Sequence, residues 1–201
     1  MGRGIKPLPF GARSKNWAAA GRRKFPLDKQ LKICYIIITK RKGKYKMKIL
    51  VFDMDGTIAD LYGVTNWLKS LQNNDPSPYY NANPLYDMDV LTDLLDALKS
   101  LGWKIVVTTW LAKGSNAKYD KMVREAKLAW LDKYYFPYDE IHMVKYGTTK
   151  ANCTRKHGGF QILVDDNDNV RGGWTLGATI DAKENILEAL SKILTTELDS
   201  L

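Results

Sequence analysis

Ile49-Leu50-Val51-Phe52-Asp53-Met54-Asp55-Gly56-Thr57 decides the fold. Four consecutive apolar residues read as a strand buried on both faces, and parallel strands of this kind present ligand-binding groups at their C-terminal ends. Here that end bears two carboxylates, Asp53 and Asp55, then a glycine and a hydroxyl. Their spacing puts both acids on one face if the strand continues. Gly56 permits a sharp turn and close approach of backbone to a ligand. Thr57 is suited to cap a following helix. An ordinary Asp-rich turn has the same composition, and Asp-x-Asp-Gly also opens calcium loops. The calcium loop is excluded because its twelfth position is Val64 rather than a glutamate. A catalytic reading needs matching pieces downstream.

Those pieces follow in order. Residues 58–73 have Ile58, Leu61, Tyr62, Trp67, Leu68 and Leu71 at helical spacing. Residues 73–84 are rich in Asn, Pro, Ser and Tyr and read as a loop. The stretch is long enough for a small lid, about 58–86, and too short for a separate domain. A helix over 87–101 carries Met88, Leu91, Leu94, Leu95 and Leu98, and Gly102 stops it. Trp103–Trp110 is a second buried strand, and a helix runs from about 117 to 134. Ile141–Val144 is a third strand, and residues 145–150 lead into a short helix. Phe160–Val164 is a fourth strand, ending in Asp165-Asp166-Asn167. Gly172, Gly173 and Gly177 make an open loop before a last helix over about 182–195. Strands alternating with helices imply right-handed crossovers and a parallel sheet.

Charge divides the chain. Residues 1–46 hold fourteen Lys/Arg against one acid, Asp28, a net of +13; residues 47–201 hold seventeen against twenty-one, a net of −4. The basic segment has few large aliphatics over 1–30 and reads as a poorly ordered extension. Leu31–Thr39 within it has the composition of a strand and is too short to span a membrane. Met47 looks like the natural start of the folded domain. The extension is either functionless or an arm that binds nucleic acid through phosphate contacts. Two cysteines, Cys34 and Cys153, form no metal or redox motif and fit a reducing, cytoplasmic setting.

Three strands thus end in reactive residues: Asp53/Asp55, Thr108/Thr109 and Asp165/Asp166. Clustered carboxylates repel in a low-dielectric cleft, and a cation relieves this. Oxygen-only ligands suit Mg²⁺. A lysine from 145–150 completes the set, Lys150 being preferred to Lys145 because it opens a helix after a Gly-Thr-Thr turn. Only one of Thr108 and Thr109 can face a phosphate, and Thr108 is preferred. Trp110 suits either core packing or stacking on a substrate ring. Tyr62, Asn66, Tyr79 and Tyr80 in the lid are candidates for leaving-group specificity. His142 reads as a structural residue in an apolar strand, and His157 as part of a basic surface turn.

This order, Asp53-Met54-Asp55-Gly56-Thr57, then Thr108, then Lys150, then Asp165-Asp166, resembles the haloacid dehalogenase superfamily over residues 47–195. The subfamily it looks most like is the small deoxyribonucleotidase-type phosphatases found in bacteria and phage. The resemblance implies a Rossmann-like, three-layer, doubly wound parallel sheet with a small helical cap insert after the first strand. It implies a Mg²⁺-dependent phosphatase acting on a nucleotide or other small phosphate ester. Asp53 would be nucleophile and Asp55 general acid/base, with Thr108 and Lys150 on the phosphate and Gly56 and Thr109 at the substrate. Asp53, the Asp55 carbonyl, Asp165 and Asp166 would hold the metal. The other readings are a polynucleotide end phosphatase using residues 1–46, and a catalytically silent binding protein on the same fold.

Overall fold

The computed structural model describes residues 47–200. The basic extension, including Leu31–Thr39 and Cys34, lies outside the described residues. Five strands form one parallel sheet, in the order β5-β4-β1-β6-β7. They are β1 (Lys48–Phe52), β4 (Trp103–Trp110), β5 (Glu140–Val144), β6 (Phe160–Asp165) and β7 (Gly177–Asp181). β1 lies at the centre, with Phe52 in register with Val107 of β4 and Val164 of β6. Ile49, Leu50, Val51 and Phe52 are fully buried, as a strand covered on both faces requires.

Helices cover both faces, giving the three-layer, Rossmann-like α/β architecture expected from the alternation. On one face α3 (Met88–Ser100), α4 (Ala117–Lys133) and α7 (Ile186–Leu198) pack on Leu50, Phe52, Ile105, Val107, Ile162 and Val164. On the other, Ala151 of α5 (Ala151–Thr154), and Val170 of α6 (Asp168–Gly172) with Trp174 beyond it, pack on Ile49, Val51, Val106 and Leu163. α3 shows how local sequence sets an element. Asp87 caps it by accepting from the Asp89 and Val90 N–H groups. Leu91, Leu95 and Leu98 form one fully buried stripe, each contributing roughly 1.5–3 kcal/mol. Gly102, at φ 85°, ends it. Among the described residues no helix is long and apolar enough to cross a membrane.

Three expectations need correction. Residues 58–73 are not one helix. The Met54 carbonyl accepts from the Thr57, Ile58 and Ala59 N–H groups, which closes a tight turn. A two-residue strand β2 (Ala59–Asp60) follows and pairs antiparallel with β3 (Asn83–Pro84). Helix begins only at α1 (Trp67–Gln72). Ile58 and Leu61 are apolar because the turn is buried, which imitates helical spacing. The 73–84 loop contains a short helix, α2 (Ser77–Asn81), whose Tyr79 is buried against α4 and the insert. Finally, residues 177–181 form β7 rather than loop, and α7 starts at Ile186, capped by Asn185, rather than at 182.

Candidate active site

The C-terminal ends of β1 and β6 bring the acids together. Asp53 directly follows β1, where its N–H donates to the Val164 carbonyl at 2.9 Å. Asp165 ends β6 and is fully buried. Lys150, at the start of α5, places its Nζ 2.8 Å from Asp53 Oδ1 and 2.7 Å from Asp165 Oδ2. Lys150 is only 2% exposed, and its ammonium lies over the Trp110 ring at 5.1 Å. Burial pulls the Lys150 pKa down, but Asp53 and Asp165 outweigh it and hold the group above its ordinary value. Lys145, the competing candidate, is exposed.

Asp165 is anchored on its other side. Its Oδ1 accepts from the Asn167 N–H at 2.9 Å, and its carbonyl from Arg171 Nη1 at 2.8 Å. Asp166 is tied to the first motif through Thr57: its N–H donates to Thr57 Oγ1 at 3.2 Å. Thr57 therefore links the two acidic segments instead of capping a helix. Burial first, and Asp53 second, raise the pKa of both Asp165 and Asp166. Gly56 adopts φ +77°, and a Cβ there would run into the Tyr62 ring and the Asp166 carboxylate. Asp53, Asp165 and Asp166 each offer a ligand oxygen, all within 4.8 Å of one another, so these three could hold a metal ion.

Asp55 has different surroundings. Its Oδ2 is 2.5 Å from the Nζ of Lys127 on α4. Lys127 is fully buried. It also donates to Thr109 Oγ1 at 2.7 Å and the Trp110 carbonyl at 3.0 Å, and lies 4.9 Å over the Tyr79 ring. Burial raises the Asp55 pKa, Lys127 lowers it and Asp53 raises it, with a net upward shift. Sequence reasoning missed Lys127. The signal was present: with Val123, Ala126 and Trp130 it falls on the buried stripe of α4, where a lysine needs a partner.

Thr108 and Thr109 do face opposite ways. Thr109 is held by Lys127, so it reaches the site through that lysine. Thr108, in register with His142, carries a buried hydroxyl with no hydrogen-bond partner. A buried hydroxyl left without a partner is unusual in a folded core.

A cavity of about 420 Å³ opens onto Asp53 and Asp55. Its walls are aromatic and aliphatic, with Tyr62, Trp67, Tyr79, Trp110 and Tyr146 set among leucines such as Leu61, Leu68, Leu71 and Leu111. Trp110 and Tyr146 pack at 4.9 Å, and Trp110 Nε1 is fixed by the Thr148 carbonyl at 2.8 Å. Of the four insert residues named above, Tyr62 and Tyr79 line the cavity, whereas Asn66 starts α1 at φ 59° and Tyr80 is exposed.

No family model matches the chain, and no curated protein matches it. Among solved structures, a chain of a Pnkp1/Rnl/Hen1 complex is 20% identical with a TM-score of 0.46, over 68% of this chain and 46% of that one. A chain of the Pnkp1/Rnl/Hen1 RNA repair complex is 21% identical with a TM-score of 0.46, over 70% of this chain and 43% of that one. The present chain spans less than half the length of either.

Proposed function

We propose that the protein is a Mg²⁺-dependent phosphomonoester hydrolase working through an aspartyl-phosphate, on a nucleotide or other small phosphate ester. One observation carries the reading. Lys150 bridges Asp53 and Asp165, while a second buried lysine, Lys127, holds Asp55. Two acids of one Asp-x-Asp segment thus sit in separate electrostatic surroundings, as two different tasks require.

Asp53 attacks phosphorus, and the bond from phosphorus to the leaving oxygen breaks. Asp55, with its raised pKa, gives the leaving oxygen its proton. Asp55 then takes a proton from the water that attacks the phosphorus, which breaks the Asp53–phosphate bond and frees inorganic phosphate. Lys150 offsets the charge that gathers on Asp53 and the phosphoryl oxygens. Thr108 donates its unpartnered hydroxyl to one of those oxygens.

The donor set fits Mg²⁺. Asp53, Asp165, Asp166 and the Asp55 carbonyl are hard oxygen ligands. Asp53, Asp165 and Asp166, when ionised, carry three negative charges against the one ammonium of Lys150, which leaves two uncompensated, the charge of one divalent ion. The bound ion supplies charge neutralisation for the incoming phosphate. The aromatic cavity offers faces for a planar leaving group, which favours a nucleoside monophosphate.

The second reading, a polynucleotide end phosphatase, rests on the net +13 of residues 1–46. A screen over nucleoside monophosphates, sugar phosphates and 3′- or 5′-phosphorylated oligonucleotides separates the two. The favoured reading expects nucleoside monophosphates to have the highest kcat/KM, unchanged when residues 1–46 are deleted. A preference for oligonucleotides, lost on that deletion and weakened by salt, would support the arm instead.

A further inference from the structure

The chain has two histidines, and the fold brings them to the same carboxylate, Glu140. Glu140 and His142 stand two residues apart on β5, an edge strand, so both side chains leave the same face. His157 ends the 3₁₀ turn Arg155–His157 after α5. The His142 Nε2 lies 2.7 Å from Glu140 Oε1, and the His157 Nε2 lies 2.9 Å from Glu140 Oε2. Both Nε2 atoms are buried and are left without a hydrogen-bond partner. One ligand atom from each residue lies within 4.8 Å of the other two.

We propose that Glu140, His142 and His157 form a transition-metal site, of the Zn²⁺ class, that ties β5 to the 155–157 turn. Two imidazoles and one carboxylate suit a borderline ion such as Zn²⁺ and not Mg²⁺. Three protein ligands leave a fourth position for water. The consequence is mechanical: the ion closes the segment between residues 142 and 157, which carries Lys150. This site stands independently of the phosphatase reading.

Two ammonium groups compete for the same carboxylate. Lys104 Nζ lies 2.7 Å from Oε2 and Lys156 Nζ lies 3.1 Å from Oε1. The Lys156 side chain is 64% exposed and can turn out to water. The competition gives the proposal a signature that an ion-pair cluster alone would lack: removing a lysine should tighten metal binding.

The test is calorimetric titration of the full chain with Zn²⁺ in excess Mg²⁺, beside His142→Gln, His157→Gln and Lys156→Ala. Wild type should bind one more Zn²⁺ than either histidine variant, or bind it at least about tenfold more tightly. Lys156→Ala should bind about threefold more tightly than wild type. Zn²⁺ should raise Tm in wild type and Lys156→Ala beyond its effect on the histidine variants. Equal stoichiometry and affinity in all four proteins would overturn the proposal. If the histidine variants fail to fold, Lys156→Ala decides: binding no tighter than wild type overturns it.

Discussion

Lys127 Nζ sits 2.5 Å from Asp55 Oδ2, and the lysine side chain is wholly buried while the aspartate side chain is only 15% exposed. Asp55 therefore cannot be judged without its lysine. Removing one partner of such a pair leaves a charge in a poorly solvated place. Lys127→Met should destabilise the chain by about 3 kcal/mol, whereas Lys127→Met with Asp55→Asn should recover at least about half of that. Urea unfolding of the four proteins in the cycle measures both numbers. Additive losses would mean that the pair does not couple.

Lys150 bridges Asp53 and Asp165, and the proposed mechanism gives it, and not the exposed Lys145, to the phosphate. Lys150→Met should lower kcat by about 10²- to 10³-fold. Lys145→Ala, at an exposed position, should change kcat/KM by less than about twofold. Steady-state kinetics with an aryl phosphate and Mg²⁺ compare them. A larger loss in Lys145→Ala would reverse the assignment.

These two lysines show what was legible in the sequence and what was not. Lys150 follows a glycine turn at the head of a helix, a local pattern that survives in one dimension. Lys127 has no local pattern; its meaning comes from Asp55, seventy-two residues away. The sheet divides in the same manner. β1, β4 and β6 are continuous apolar runs because both their faces are covered. β7 is Gly-Ala-Thr-Ile-Asp on the edge, where only alternate residues are buried, and it passes for a loop. Residues 58–61 mislead for the opposite reason, since a buried turn needs apolar residues at spacings that a helix also uses. The histidines, 142 and 157, look unremarkable singly and acquire a common partner only in the fold.

The aromatic wall should act on binding and not on chemistry. Stacking on a base is worth roughly 1–3 kcal/mol, so Tyr146→Ala should raise KM for a nucleoside monophosphate about tenfold. KM for a small alkyl phosphate should stay within about twofold. Equal effects on both substrates would remove the nucleobase from this cavity.

Glu140 makes stability depend on pH in a defined direction. The Lys104 ammonium, with Lys156 and His157 as further contributors against the cost of burial, lowers its folded pKa from 4.5 to about 2. A depressed carboxyl contributes stability that is fully present above its unfolded pKa and is lost as pH falls through the folded one. Glu140→Gln should therefore be less stable than wild type at pH 7, and the gap should narrow between about pH 4.5 and pH 2. Urea midpoints across that range measure it. A gap that widens on acidification would contradict the assignment.

The central claim is that Asp53 attacks phosphorus. Phosphate release from a small phosphate ester in Mg²⁺ tests it most directly, comparing wild type with Asp53→Asn at matched folding by circular dichroism. Wild type should turn over, chelation should abolish the activity, and Asp53→Asn should lose about 10³-fold or more. Substantial phosphate release by Asp53→Asn, or none by wild type across a broad set of esters, would contradict the account.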